Sequence, residues 1–195
     1  NRANGTVGRT DKSRVEIVVH QSFGNCPQYI QRRELYPVES RPQPVEHLAS
    51  LDAAAQALIR TADTSFVASG AHLELAQGGV DISHRGGRPG FIHLAGDTLW
   101  IPDFRGNRYM NTLGNLLAEP RAALLFIDFE RGDVLHLQGK TQILWQAEGH
   151  PGVEGAERYW RFDVHRAWRF AAALPWRGRD LEYSPATLAT GVWRR

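Results

Sequence analysis

Two stretches of the chain gather the residue types that grip an anion. In Asp81-Ile82-Ser83-His84-Arg85-Gly86-Gly87 an alternating run delivers Ser83, His84 and Arg85 to a glycine turn. A guanidinium can fork onto phosphate oxygens, and the two glycines let the backbone come close to a ligand. The second stretch is Asp103-Phe104-Arg105-Gly106-Asn107-Arg108-Tyr109-Met110-Asn111-Thr112. It reads as a strand end, a loop and the start of a helix over 109–118. Helix N-termini attract anions because their first N–H groups lack intrahelical partners and the dipole is positive there. Arg108, Asn111 and Thr112 stand at i, i+3 and i+4, which puts three polar groups on one face. Leu113, Leu116 and Leu117 are expected on the opposite, core side. The plainer alternatives are a polar hairpin loop and an amphipathic helix with an ordinary cap.

A third stretch, Gln21-Ser22-Phe23-Gly24-Asn25-Cys26-Pro27-Gln28-Tyr29-Ile30, is rich in side-chain amides. Cys26 is the only cysteine, which excludes an internal disulfide framework. With no histidine base beside it, it reads as a small buried hydrophobe rather than a nucleophile. The eight histidines are scattered without metal-ligand spacing, so no metal site is expected. No residue declares itself as a catalytic acid, base or nucleophile, and no dinucleotide or P-loop fingerprint occurs.

The elements around these stretches read as mostly β. Residues 14–19, 64–71, 90–95, 98–102, 122–129 and 134–145 alternate or run apolar between turn signals such as Gly78-Gly79, Gly96-Asp97 and Arg131-Gly132-Asp133. Residues 158–173 alternate Trp160, Phe162 and Val164 before a break at Pro175. Asp52 opens a short helix with Leu51, Ala55, Leu58 and Ile59 on one face. Residues 1–12 read as a turn leading into a strand, and Pro37, Pro42 and Pro44 make 36–46 an extended connector.

Composition sets the bounds. The chain has 195 residues, 42% hydrophobic and 23% charged, with a net charge of +2, enough to bury a core and too balanced for a nucleic-acid footprint. No apolar run approaches the roughly 18 residues of a membrane span. The expected location is the cytoplasm, without nucleic-acid or membrane partners. Met110 is the only methionine, so Asn1 is not an initiator, and the chain is expected to be a piece of a longer protein.

Taken together, the motifs resemble the pyridoxamine 5′-phosphate oxidase-like family of FMN-binding split barrels, in its bacterial flavin-nucleotide-binding branch. The resemblance rests on Asp81–Phe91, Leu99–Phe104, Gly106-Asn107, Asn111–Asn115, Pro120–Asp128 and Gly132-Asp133, strongest over about residues 60–145. It implies a mostly β fold with minor α, a six-stranded split barrel, and a homodimer carrying FMN at the subunit interface. It implies cofactor contacts at Ser83, His84, Arg85, Asp103, Asn107, Arg108, Asn111 and Thr112. It also implies a division into 1–45, a strand and connector ending a preceding half, 46–175, the flavin-binding barrel, and 176–195, a tail. Residues 1–35 are then expected to pack on the barrel. The Ser-Arg-Lys run of true oxidases is replaced by Gly106-Asn107-Arg108, and their substrate-holding C-terminal run is missing. The expected function is therefore an FMN-dependent oxidoreductase acting on another substrate. The alternatives are a flavin-binding module relaying electrons to a separate or fused reductase, and a non-catalytic dimeric barrel holding another anion.

Overall fold

The computed structural model describes residues 2–24, 26–72, 75, 78–106, 110–146 and 152–193. In chain order the elements are β1 (Arg2–Thr10), β2 (Val15–Phe23), β3 (Arg32–Pro37), β4 (Glu46–Leu48), α1 (Ala53–Thr61), β5 (Thr64–Ala71) and β6 (Gly79–Gly86). There follow β7 (His93–Ala95), β8 (Thr98–Phe104), α2 (Asn111–Ala118), β9 (Arg121–Ile127), β10 (Val134–Leu144), β11 (Ala156–Phe170), β12 (Trp176–Glu182) and α3 (Pro185–Leu188).

The mostly β reading holds. One antiparallel sheet runs β6-β5-β9-β10-β11-β8-β7, with β4 added on β11. Six of its strands are seven residues or longer and two, β4 and β7, have three residues each. The sheet is not a closed ring: β6 ends one side, and β7 the other, with β8 next to it. Alternation builds the core. Val67, Leu124, Phe126, Leu135, Leu137, Trp160 and Phe162 point inward and are fully buried. Helix α1 adds Ala55 and Ile59, and α2 adds Leu113 and Leu116. Asp52 caps α1 as its position suggested, accepting from the Ala55 N–H at 2.8 Å.

One row across the outer face of this sheet is ring-rich, while the rows beside it carry Gln138, Arg166, Lys140 and Arg121. His84, Phe66, Leu125, His136, Trp168 and His47 stand opposite one another in register across six strands. His136 stacks on Trp168 with ring centroids 5.6 Å apart and planes 4° apart. Burial holds the His136 pKa below its ordinary value.

Both ends of the chain differ from expectation. Residues 2–10 are a strand rather than a turn, and β1 with β2 makes a separate two-stranded ribbon. Beyond its root the ribbon does not pack on the main sheet. Its apolar residues Val7, Val15, Ile17 and Val19 are exposed. Its root is tied to β6, where Arg2 Nη1 meets Asp81 Oδ2 at 2.5 Å and Asn4 Nδ2 donates to Asp81 Oδ1 at 3.3 Å. The C-terminal stretch is built into the structure. β12 pairs with β3, and the Trp193 indole donates to the Phe91 carbonyl at 2.8 Å. The sequence signal was hidden because β3 and β12 are largely exposed and lack an alternating apolar face. Among the described residues, no helix is long and apolar enough to cross a membrane.

Candidate functional site

The site lies where the two sides of the open sheet come together. Arg85, on edge strand β6, donates from Nη1 to Asp103 Oδ1 on β8 at 2.7 Å. Arg158 stands opposite Asp103 in the β8–β11 register and donates to its Oδ2 at 3.2 Å. One carboxylate thus faces two guanidiniums, each with little solvent exposure. Arg158 also meets Glu157 at 3.0 Å. Burial weighs against the Arg85 charge and lowers its pKa, and Asp103 works the other way. Arg85 Nε is buried without an acceptor, as is Arg2 Nε. A buried donor left unpaired costs about 1–3 kcal/mol, so these groups favour an incoming acceptor.

Helix α2 aims its N-terminus at the same place. Its N-cap residue is Met110, in the left-handed region at φ 57°, and the Met110 side chain makes no capping hydrogen bond. Asn111, Thr112 and Leu113 line the cavity. Thr112 is buried to 3% exposure, deeper than an outer polar face would be. Leu117, expected in the core, is 61% exposed, because the inward face of this two-turn helix is Thr112, Leu113 and Leu116.

Between these elements is a cavity of about 110 Å³. Ser83, His84, Arg85, Asp103, Asn111 and Thr112, six of the residues expected from sequence, line it together. The other two, Asn107 and Arg108, lie outside the described residues. Ligand pockets for whole cofactors run from about 300 Å³ upward. This one matches a single compact anionic group.

The glycines make room for close packing at the turn. A Cβ on Gly86 would lie 2.0 Å from the Tyr29 carbonyl oxygen, and one on Gly87 would lie 2.4 Å from the Phe91 ring. They admit the protein's own chain, and Gly86 also lines the cavity. Tyr29 is thereby drawn into the cavity wall, its hydroxyl donating to the Arg105 carbonyl at 2.5 Å and its ring tilted on Phe104 at 5.4 Å. Burial pushes the Tyr29 pKa up.

His84 is set as a neutral imidazole. Burial, aided by the neighbouring Arg85 charge, lowers its pKa to about 4. Its Nε2 is buried without a partner, and Phe66 packs edge-on to the ring at 5.7 Å.

Several wall residues escaped the sequence reading. Arg158 belongs to an alternating strand pattern and acquires its meaning only from the register opposite Asp103. Arg2 sits in a stretch with no chemical signal. Cys26 is half-buried at the cavity, with Sγ 3.5 Å from Gln28 Oε1, rather than in the core. Among the described residues, no group of three or more His, Cys, Asp or Glu is placed to hold a metal.

No protein-family model and no curated protein matches the chain. Similar solved structures include HupZ from group A Streptococcus, with a TM-score of 0.46 and 18% identity over 61% of this chain and 98% of that one. A candidate pyridoxamine 5′-phosphate oxidase from Corynebacterium glutamicum gives 0.42 and 10%, over 65% and 98%. A Clostridium acetobutylicum protein of the pyridoxinephosphate oxidase family, related to a general stress protein, gives 0.36 and 16%, over 61% and 81%. The neighbours thus include proteins of the family that the motifs resemble, at low identity.

Proposed function

We propose that the cavity receives the phosphate of FMN and that the protein is an FMN-dependent oxidoreductase working as a homodimer. The observation that carries the reading is the buried, partly unpaired Arg85 guanidinium beside the N-terminus of α2, whose N-cap side chain, Met110, makes no capping hydrogen bond. The residues fit a phosphate by spare donors and by size. Arg85 and Arg158 supply the cationic donors, Ser83 and Thr112 can add hydroxyls, and Asp103 keeps the two guanidiniums together. When bound, the isoalloxazine supplies the electron chemistry, and the protein supplies orientation and polarity.

The proposed second copy covers the sheet's outer face. Rings and aliphatic side chains from Phe66 to Trp168 form an apolar band there, of the kind that marks an interface. A two-fold contact would apply the same band on both subunits.

The neutral state of His84 favours a second reading. At neutral pH this imidazole carries no extra proton to give, so the pocket offers no general acid there. On that reading the protein holds flavin and relays electrons to a reductase partner without turnover of its own.

Titrating the purified protein with FMN, FAD and inorganic phosphate tests the site. FMN binding with competition by phosphate is the expected result, and no binding of either removes the proposal. Bleaching of the bound flavin by a reduced nicotinamide then favours the oxidoreductase over the relay.

A further inference from the structure

We propose that Met110 is a peroxide-modification site that shuts the anion pocket. The inference rests on the anion-binding reading above and adds a control to it. Met110 is the chain's only methionine, and it lies in the pocket wall at 38% exposure rather than in the core. Its sulfur accepts from Arg158 Nη1 at 3.1 Å, and the same nitrogen donates to Asp103. It is also the N-cap of α2, a position usually held by Ser, Thr, Asp or Asn. An oxygen there would accept the first-turn N–H groups. A thioether is a weak acceptor and leaves them to a ligand.

Hydrogen peroxide reverses that choice. The sulfur lone pair attacks one peroxide oxygen, the O–O bond breaks, an S–O bond forms and water leaves after proton transfer. The thioether is oxidised by two electrons and the peroxide is reduced. The sulfoxide oxygen is polar and sits on the side chain that already touches Arg158. It competes for the donors that the phosphate needs, with an expected affinity loss of about tenfold or more.

The test uses the Cys26→Ser protein, so that Met110 is the only sulfur, beside Cys26→Ser/Met110→Leu. Each is treated with hydrogen peroxide at neutral pH, mapped by mass spectrometry and titrated with inorganic phosphate before and after. One added oxygen at Met110, slower oxidation when phosphate is present, and at least a tenfold weaker phosphate affinity support the proposal. Recovery of affinity after methionine sulfoxide reductase separates a switch from damage. Full oxidation with unchanged affinity overturns it, as does an equal loss in the Met110→Leu protein. Failure of the unaltered protein, with Cys26 in place, to bind phosphate instead overturns the anion-site reading, and this inference with it.

Discussion

At the scale of single residues, Arg85 is the centre of the proposed site. Its charge is buried, Asp103 occupies one nitrogen, and Nε has no partner. Replacing it by alanine removes a charge-assisted contact worth about 1.5–3 kcal/mol, a loss of roughly 10- to 150-fold in FMN affinity. Fluorescence titration of Arg85→Ala measures this, and an unchanged affinity removes Arg85 from the site. His84 makes a prediction in pH. Its folded pKa of about 4 lies below the ordinary value of 6.5, so between those values the unfolded chain binds more protons. Stability is therefore full above about pH 6.5 and falls as the pH drops toward 4, by up to about 3 kcal/mol. Denaturant melts across this window should show the slope, and His84→Gln should flatten it. An equal slope in the variant assigns the acid sensitivity elsewhere.

At the scale of elements, the glycine turn after β6 is a packing device. The Cβ added by Gly87→Ala would fall on the Phe91 ring, which is itself fully buried. Overpacking of this kind costs about 1–3 kcal/mol. The expected thermal shift is several degrees downward, read by circular dichroism, and a shift near zero would mean that the turn can yield. This detail was closed to sequence reading, which sees that a glycine is present but not what presses on it. Period-two alternation did reveal β5, β8, β9 and β10 with nearly their observed ends, because each buries one face. The ribbon strand β1 and the pair β3–β12 bury little and left no such trace. The candidate site divides in the same way. Ser83–Arg85 and Asn111-Thr112 stand out as local clusters, whereas Arg158 and Arg2 join through strand register and a long-range ion pair.

At the scale of the whole molecule, the ring-rich row on the sheet's outer face and the proposed dimer stand or fall together. Ile82 flanks that face on β6 at 53% exposure. A glutamate there would bury charge in the interface without touching the core. Ile82→Glu should convert a dimeric mass in light scattering to a monomeric one while the fold is kept. A monomeric mass for the unaltered protein with flavin bound would defeat the dimer. The ribbon of β1 and β2 adds a mechanical consequence. It projects by nine-residue strands, about 30 Å of chain, from a root at Arg2. That root is also a wall of the pocket, with a spare buried Nε. An anion that engages Arg2 therefore clamps the base of a lever. Its occupancy can be felt far from the pocket, as slower amide exchange at Val7 and Ile17 when phosphate is added.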